Sequence, residues 1–592
     1  MSSESRENSE KSSRVSRRVF LSSSAAGVAG IIVGGIIGSQ AFPREVRTTE
    51  TKIETTTLTK PTTVTQTSTV TTTIIAEPAI LTPPPPIPDE KIAETVNVDV
   101  VVVGAGLAGL MAAYSAGEEG AEVVVIEKHK GPNVRGAHIN PGPAGKLFKE
   151  AGITVDYEKA VREQIDIISG NKVNEALVRL WLANASKIAD FIADLARANG
   201  IPAQVLKPKT YLEEAWKDWP RPTYKFSNET DFDGVAQLAP LLEKIAKDKG
   251  AKFYYNTRAL QLIREKNGRV TGVIAQDAEG RYIKYNARKA VILCTGDYSS
   301  NKDLLKIWAP PEVARLADLP NRIIYPMITP TNTGDGQLMG VWIGAALDEQ
   351  PHCPLCYIMA GGDVGFAISA LAGLGPGKGY MLICNPFLFV NMFGERFTNE
   401  ALPWMWVINR VLQQPKAMYW AILDSTWEEQ VTKHGGGYRR ITNPELGREF
   451  LDGALKSGAA VTANTLGELA EKMGVPVETF KKTVERYNEL CRKGVDEEFG
   501  KPSGYLVPVE KPPYYAIQGI AVLLNMVGGG LKVNTKLQVL DKIGKPIPGL
   551  YAAGNAAGDF YGQYYSLVVI PGLSHSRAVT FGYLAGKNAV KT

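Results

Sequence analysis

The sequence predicts an α/β fold in which a parallel-sheet domain is split by an inserted α+β cap domain. Three observations predict this fold. A strand, a glycine-rich loop, a helix and a second strand follow one another at residues 98–128, which is the order of a βαβ unit. Residues 348–507 differ from the preceding segment in sequence pattern, with aromatic-rich loops and amphipathic helices. A buried-strand pattern returns at residues 549–555, so we expect the first domain to resume after the insertion.

Length and composition are those of a soluble multidomain protein. The chain has 592 residues, enough for two or three domains, and 44% of them are hydrophobic. A net charge of +5 spread over this length gives no reason to expect a nucleic-acid partner. The five cysteines are too few for a disulfide scaffold and show no metal-ligand or haem-attachment spacing, so no metal is predicted. Cys353 and Cys356 are interpreted as two packed thiols, with a redox disulfide as the alternative.

The N-terminal residues 1–41 have the pattern of an export signal. The pair Arg17-Arg18 precedes an apolar segment at residues 25–38, which is typical of a twin-arginine signal. Ser39-Gln40-Ala41 supplies small residues for cleavage. An apolar segment counted from residue 20 also approaches the roughly 20 residues of a membrane span. We therefore expect an extracytoplasmic protein and leave open whether the signal is cleaved or stays as an anchor.

Residues 42–95 are predicted to form a disordered stalk. Residues 48–73 contain fifteen threonines, and four prolines follow at residues 83–86. Such a composition has too little apolar surface to fold and favours an extended chain. A stalk suits a protein whose apolar segment remains in the membrane, which slightly favours the anchored form.

A nucleotide-binding fingerprint opens the folded body, which we expect to span 96–347 before the cap. The apolar run at residues 98–103 predicts a buried parallel strand. After it, Gly104 permits a tight turn, Gly106 lets the backbone approach a pyrophosphate, and Gly109 lets the helix pack closely. Glu127 ends the second strand, where a carboxylate binds a ribose hydroxyl. The unit is therefore Rossmann-like.

The remaining elements extend this domain or build the cap. A long amphipathic helix is predicted at 171–199, and Asn267-Gly268 marks a hairpin. A buried strand at 289–293 is expected to join the parallel sheet and to bring the loop after it to the nucleotide. The cap contains helices at 466–473 and 476–493. The second part of the first domain, residues 508–592, closes with a helix at 574–589.

As a set, these motifs resemble the flavoprotein family of fumarate reductase, succinate dehydrogenase flavoprotein subunits and ketosteroid dehydrogenase. The resemblance covers the chain from about residue 96 to its end. The matching stretches are Gly104-x-Gly106-x-x-Gly109, Glu127-Lys128, Cys294-Thr295-Gly296, Thr333-Gly334-Asp335-Gly336, Gly394-Glu395-Arg396-Phe397-Thr398-Asn399-Glu400, Gly549-Leu550-Tyr551-Ala552-Ala553-Gly554 and Thr580-Phe581-Gly582-Tyr583-Leu584-Ala585-Gly586.

The resemblance implies that the cofactor is FAD. The N-terminus of the closing helix would then face the flavin, where its dipole stabilises negative charge. His138 lies near the segment where succinate dehydrogenases attach FAD covalently, but the local match is poor, so both kinds of attachment stay open. The implied FAD contacts are Gly104, Ala105, Gly106, Gly109, Glu127, Lys128, Gly136, Ala137, Ala259, Thr295, Gly296, Asp335, Gly554, Asn555, Leu573 and Ser574.

The chain departs from fumarate reductases where that family binds and protonates a dicarboxylate. Residues 401–406 contain no arginine, residues 523–528 no histidine, and residues 566–571 no arginine. The acid–arginine relay is also missing at residues 380–383. A dicarboxylate needs fixed cations, because burying an unpaired carboxylate costs several kcal/mol. Fumarate and succinate are therefore rejected as substrates.

Phenols stand where the arginines are missing. Residues 562–565 resemble the Gly-x-x-Tyr of ketosteroid dehydrogenases, whose tyrosine acts on the substrate carbonyl. Tyr565 is thus the first candidate to donate a proton or polarise a carbonyl, followed by Tyr564 and Tyr380. His352 lies near the place of a substrate-binding histidine in fumarate reductases and is a fourth candidate, with a structural loop role as the alternative.

The sequence therefore predicts an exported FAD-dependent oxidoreductase. It would transfer a hydride between flavin and a carbon of an activated C=C or CH–CH bond in an apolar or aromatic small molecule that is not a dicarboxylate. The chain has no haem-binding motif, so a separate membrane or cytochrome redox partner is expected. One alternative is a ketosteroid-dehydrogenase-like desaturase running in the opposite direction. The other is a flavin-bearing electron-transfer subunit without a small-molecule substrate.

Overall fold

The computed structural model describes most of the chain beyond residue 77. The described residues are 46–48, 73–75 and 78–591, apart from residues 137, 163–164, 166–171, 207–222, 227–233, 325–329, 373–380, 435–439, 564 and 566–569. The twin-arginine pattern and most of the predicted stalk lie outside them. In the part of the chain that the structure describes, no helix is long and apolar enough to cross a membrane.

The chain divides into two units, Met1–Thr82 and Pro83–Thr592. In the first, β1 (Val46–Thr48) pairs antiparallel with β2 (Thr73–Ile75). The strands of the second unit are β3 (Ile92–Val103), β4 (Val123–Ile126), β5 (His138–Ile139), β6 (Gln204–Leu206), β7 (Thr223–Lys225), β8 (Lys252–Tyr254), β9 (Arg258–Arg264), β10 (Val270–Gln276), β11 (Tyr282–Leu293), β12 (Pro354–Ala360), β13 (Leu388–Val390), β14 (Met418–Leu423), β15 (Ala460–Ala463), β16 (Tyr514–Met526), β17 (Gln538–Leu540) and β18 (Pro546–Ala552).

The α-helices that the structure describes lie in the second unit. They are α1 (Leu107–Glu118), α2 (Lys146–Glu150), α3 (Tyr157–Arg162), α4 (Glu175–Ala198), α5 (Ala239–Asp248), α6 (Lys302–Trp308), α7 (Pro311–Ala314), α8 (Asp335–Trp342), α9 (Val364–Ala372), α10 (Trp404–Gln413), α11 (Trp427–Lys433), α12 (Pro444–Lys456), α13 (Leu466–Met473), α14 (Val477–Lys493) and α15 (Leu573–Val590).

A mixed sheet contains the predicted βαβ unit. Strands β18, β11, β3, β4 and β8 lie side by side in that order and run parallel, with β17 antiparallel at one edge. The predicted strand at 289–293 is confirmed as the end of β11, whose first half pairs antiparallel with β10. Strand β3 begins at Ile92, six residues before the predicted start of the strand at residue 98. The early residues were missed because most of them are exposed and carry no hydrophobic pattern.

The first and last helices of the unit pack together with a close backbone approach. A Cβ added to Gly582 in α15 would collide with the carbonyl oxygen of Ala108 in α1. Nearby, the Ser115 hydroxyl donates to the carbonyl oxygen of Tyr583 at 2.7 Å. The C-terminal helix therefore covers the helix of the nucleotide fingerprint.

An antiparallel sheet forms the cap. Its strands lie in the order β12, β16, β14, β13, with β15 also paired to β16. The central strand β16 lies beyond residue 507, the predicted end of the cap. Its apolar pattern fits either sheet equally well, so only the strand pairing assigns it to the cap. A third, small sheet has the order β5, β7, β6.

The predicted helices are confirmed close to their predicted ends. The helix expected at 171–199 is α4, and the Asn174 side chain caps it by accepting a hydrogen bond from the Ala176 N–H. The helix expected at 466–473 is α13. The next, α14, begins one residue after its predicted start because Pro476 is its N-cap. The closing helix α15 extends one residue further at each end than 574–589.

Candidate functional site

A cleft opens where the parallel strands β3, β4 and β11 end. The cleft, together with the open space at its mouth, contains about 1060 Å³ that no protein atom occupies. The carboxyl ends of parallel strands are where α/β sheets bind nucleotides. Eleven of the predicted cofactor contacts line it, namely Gly104, Gly106, Glu127, Lys128, Ala259, Thr295, Gly296, Asp335, Gly554, Asn555 and Ser574.

The other predicted contacts lie behind this wall. The Ala105 N–H donates to Glu127 Oε2 at 2.7 Å. Gly136 lies against the His575 ring, and Leu573 is the first residue of α15 and is buried. Gly109 faces the turn that Gly104 makes. Ala137 lies outside the described residues.

The glycine loop has the geometry that the fingerprint predicts. Gly104 adopts a φ of +104°, and a Cβ there would collide with the Cys294 carbonyl. A Cβ on Gly109 would collide with the carbonyl oxygen of Gly104, so α1 packs directly on the turn. At Gly106, by contrast, the nearest atom to an added Cβ is the Asn133 carbonyl oxygen at 3.6 Å. The space at Gly106 is therefore open towards the cleft, where the first N–H groups of α1 are available to phosphate.

The charged side chains in the nucleotide half of the cleft have hydrogen-bond partners within the protein. Lys128 Nζ lies 2.8 Å from Asp335 Oδ2 and 2.6 Å from Thr333 Oγ1. Arg258 Nη2 donates to Asp335 Oδ1 at 2.9 Å. Burial raises the pKa of Asp335, but Lys128 and Arg258 outweigh it and hold the pKa below its usual value. Glu127 accepts the N–H groups of Ala105 and His129, both at 2.7 Å.

A polar wall that the sequence did not predict completes the cleft. Thr331 Oγ1 accepts from Asn133 Nδ2 and from Arg135 Nη2, both at 2.8 Å. Further along are Asp297 and Asn525. Asp297 could have been predicted, because it directly follows the predicted contacts Thr295 and Gly296. No local sequence feature identifies Asn133 or Asn525 as cleft residues.

The start of α15 also lines the cleft, through Ser574 and His575. His575 Nδ1 lies 2.8 Å from the His138 carbonyl oxygen, which only accepts, so Nδ1 carries the proton. Burial lowers the pKa of His575, although the carbonyl of His138 acts in the opposite direction. The ring is therefore neutral and offers Nε2 as an acceptor. Arg577 donates to Asn555 Oδ1 at 2.8 Å and to the Ala557 carbonyl oxygen at 3.1 Å.

Tyr565, the first candidate catalytic residue, is 1% exposed and does not line the cleft. Its hydroxyl accepts the Ser574 N–H at 3.4 Å, and its ring packs edge-on against Tyr561. Burial raises the pKa of Tyr565 well above its usual value, so the phenol keeps its proton. Its catalytic role stays a prediction. Tyr564 and Tyr380 lie outside the described residues.

His352 is enclosed in an aromatic cluster away from the cleft lining. It lies 2.7 Å from the Tyr298 hydroxyl through Nδ1 and 3.2 Å from the Asp348 carbonyl oxygen through Nε2. Because the carbonyl only accepts, Nε2 carries the proton and Nδ1 accepts from Tyr298. Burial lowers the pKa of His352 to about 4, so the ring is neutral. This geometry suits the structural alternative, and its substrate role stays a prediction.

Cys353 and Cys356 are both buried free thiols. Burial raises the pKa of Cys356 and, more strongly, that of Cys353, which makes both poor nucleophiles. The interpretation as two packed thiols is confirmed.

Comparison with known proteins identifies the family. The model of the FAD binding domain family matches residues 99–568, well over half of the chain. The chain belongs to this family. It is 27% identical over 516 residues to vinyl phenol reductase of Lactiplantibacillus plantarum, which covers 84% of this chain and 98% of that protein. It is 26% identical to 3-oxosteroid 1-dehydrogenase of Mycolicibacterium smegmatis, over 83% of this chain and 97% of the relative.

A solved structure shares the fold. The open conformation of a flavocytochrome c3 fumarate reductase superposes with a TM-score of 0.61 at 23% identity, over 84% of this chain and 79% of that one. The predicted resemblance is thereby confirmed: the chain is a fumarate reductase-like flavoprotein with ketosteroid dehydrogenase relatives. Its cofactor is FAD, and it is an FAD-dependent oxidoreductase of the class that acts on CH–CH groups.

The residues of this flavoprotein fit FAD. The open space at Gly106 and the N-terminus of α1 suit the pyrophosphate, and Glu127 suits the adenosine ribose. Two buried oxygens at the cleft wall, Thr295 Oγ1 and Asn525 Oδ1, have no hydrogen-bond partner within the described protein. Buried polar atoms are normally satisfied, so these atoms are available to a bound group.

Proposed function

We propose that the enzyme transfers a hydride between FAD and a carbon of an activated C=C bond in an uncharged or weakly charged small molecule. Bound FAD supplies the two-electron hydride chemistry, while the chain orients the substrate and handles the proton. Two of the relatives are named for acting on a vinyl phenol and on 3-oxosteroids. Neither compound class carries a carboxylate, which agrees with the substitutions at the dicarboxylate positions.

The main support for an uncharged substrate is that Arg396 and Arg577 are hydrogen-bonded to other groups of the protein. Arg396 donates four hydrogen bonds, two to Glu400 and two to Asp496. Arg577 is committed to Asn555 and to a backbone carbonyl. Neither guanidinium lines the cleft, so neither is placed to hold a carboxylate of a bound substrate.

Within the described cleft, the permanent cations are Lys128 and Arg135. Lys128 is neutralised by Asp335 at 2.8 Å, and Arg135 is anchored to Thr331 and Asn133. A buried dicarboxylate needs fixed cations in good geometry. Both cations of the FAD cleft therefore already have partners in the protein, which agrees with an uncharged or weakly charged substrate.

Tyr565 is the residue proposed to polarise the substrate carbonyl. It is buried behind the cleft wall and contacts that wall through Ser574, which lines the cleft. Its oxygen accepts the Ser574 N–H at the start of α15, so its own proton remains available to a carbonyl oxygen. A phenol placed there stabilises the negative charge that develops on the oxygen as the hydride arrives. Changing Tyr565 to phenylalanine is expected to slow oxidation of reduced enzyme by an enone about 10²-fold. Tyr583→Phe in α15, whose hydroxyl contacts Glu118 at 3.1 Å, is the matched control and should leave the rate unchanged.

Anaerobic stopped-flow absorbance on the dithionite-reduced holoenzyme measures this directly. The oxidants are vinyl phenol, cyclohexenone, a 3-oxosteroid enone and fumarate. Fast oxidation by an uncharged compound supports the proposal, and fastest oxidation by fumarate contradicts it. Reduction of the oxidised enzyme by a saturated ketone, without the reverse reaction, would indicate the desaturase. If only a quinone oxidises the flavin, the chain is an electron-transfer subunit.

We also propose that the enzyme is exported and receives electrons from a separate membrane or cytochrome partner. The pattern Arg17-Arg18 before the apolar segment at 25–38 supports export, and the lack of a haem-attachment motif supports a separate partner. Replacing Arg17 and Arg18 together with lysine should retain the protein in the cytoplasmic fraction, as measured by immunoblotting after spheroplast fractionation. The control Arg14→Lys should be exported normally. Export of the double variant at the control level would contradict the proposal.

A further inference from the structure

Asp297 is a buried carboxyl in the cleft wall that has no part in the functions assigned above. It follows Gly296 at the end of β11, lines the cleft and is 1% exposed. Its Oδ1 accepts the Ser299 N–H at 2.7 Å, and its Oδ2 accepts from Asn332 Nδ2 at 2.6 Å. Two donors therefore fix the plane of the carboxyl group at the cleft wall.

The surroundings of Asp297 favour its neutral form. Burial raises the pKa of Asp297, and the hydrogen bonds from Ser299, the charge of Arg135 and the Met526 backbone only partly offset this. The adjoining Tyr298 phenol is neutral, because burial raises its pKa well above the usual value. The Asp297 carboxyl therefore keeps its proton to a higher pH than an exposed aspartate does.

The other titratable groups that line the described cleft are not placed to give up a proton. Glu127 has both oxygens occupied by backbone N–H groups, and Lys128 and Asp335 are paired. The Arg135 guanidinium does not deprotonate in proteins. Burial raises the pKa of the Cys294 thiol, which also lines the cleft, so the thiol holds its proton. His575 uses its one proton to bond the His138 carbonyl oxygen.

We propose that Asp297 is the acid that protonates the substrate during reduction of the double bond. This inference rests on the proposed function. The substrate gains a hydride from bound FAD at one carbon of the C=C bond. The released π electron pair takes the proton from Asp297, so a second C–H bond forms as the carboxyl O–H bond breaks. Water entering the cleft then reprotonates the carboxylate.

The same hydrogen bonds suit both protonation states of Asp297. The Ser299 N–H and the Asn332 amide stabilise the carboxylate after the proton has left. Tyr565 has a different role, since it polarises the carbonyl oxygen and Asp297 protonates a carbon. Proton transfer from a positioned side chain in the transition state typically contributes about 10²- to 10⁴-fold to a rate.

The test is Asp297→Asn in the holoenzyme. Asparagine keeps the shape and accepts the Ser299 N–H, and Asn332 can rotate its amide to offer an oxygen, but the acidic proton is gone. Dithionite should reduce the bound FAD at the wild-type rate. Oxidation of the reduced variant by vinyl phenol or cyclohexenone should be about 10²- to 10⁴-fold slower.

The pH profile separates an acid from a structural residue. In the wild type, the oxidation rate is expected to be full below the pKa of Asp297 and to fall as pH rises through it. In Asp297→Asn this fall should vanish. Asp303→Asn, at the exposed start of α6, is the control and should behave as the wild type.

Each outcome decides the inference. Wild-type rates or an unchanged pH profile in an FAD-loaded Asp297→Asn variant would overturn it. If that variant does not hold FAD, Asp297→Glu replaces it, and a profile identical to that of the wild type would then overturn the inference. A wild type that no unsaturated compound oxidises would overturn the proposed function, and this inference with it. Wild-type oxidation with a slow variant supports both.

Discussion

Replacing Arg396 with methionine is expected to lower the free energy of unfolding by about 3–5 kcal/mol. Arg396 donates to Glu400 at 2.8 and 2.9 Å and to Asp496 at 3.0 and 2.7 Å. Its side chain is 4% exposed, and both carboxylates are 0% exposed. Without the guanidinium, Lys501, 3.4 Å from Glu400, would be the cation left to these two buried carboxylates.

The measurement is urea unfolding of the holoenzyme, followed by tryptophan fluorescence. Arg448→Met is the matched control, because the Arg448–Glu428 pair has similar geometry but both side chains are exposed. Surface pairs of this kind contribute little to stability, so we expect no measurable shift. A midpoint shift in Arg396→Met no larger than in Arg448→Met would show that the network is dispensable.

Gly109→Ala is expected to weaken FAD binding by about five- to 150-fold. The new Cβ would collide with the Gly104 carbonyl oxygen, so α1 must move away from the turn. Overpacking of this kind costs about 1–3 kcal/mol, and the N-terminus of α1 that suits the pyrophosphate moves with it. The dissociation constant is measured by the quenching of FAD fluorescence on titration of the apoprotein.

Two further alanine variants separate the protein's own packing from the space for the ligand. Gly106→Ala meets no atom closer than 3.6 Å, so the apoprotein should keep its melting temperature while FAD binding falls. Gly131→Ala meets nothing within 4 Å and should change neither quantity. Equal FAD affinity in the Gly106 variant and the wild type would rule out pyrophosphate binding at this loop.

The nucleotide half of the site could be predicted because its signals are local. The run at residues 98–103, the three glycines and Glu127 follow one another within one βαβ unit, so spacing alone places them together. The boundary of the cap could not be predicted in this way. Strand β16 pairs with β12, β14 and β15, and pairing between distant segments leaves no trace in local hydrophobicity.

The cleft residues that the sequence did not predict also depend on contacts between distant segments of the chain. The Asp297 carboxyl is held by Asn332, 35 residues away, and by the backbone of Met526 at the end of β16. Lys128 and Asp335 were both predicted as cofactor contacts, but their pairing across 207 residues required the fold. The sequence marked His352 as a candidate by its residue type. Its hydrogen bond with Tyr298 forms only in the folded protein and could not be predicted.

The contact between α1 and α15 has a consequence for the synthesis of the protein. Ser115 and Tyr583, which join the two helices, are 468 residues apart. Domains usually fold as they leave the ribosome, N-terminal part first. Helix α1 can pack against α15 only after almost the whole chain has been translated. Ser574 of the cleft wall belongs to α15 and is therefore also synthesised late. A chain whose translation stops early therefore lacks one wall of the FAD cleft, and cofactor loading belongs to the completed polypeptide.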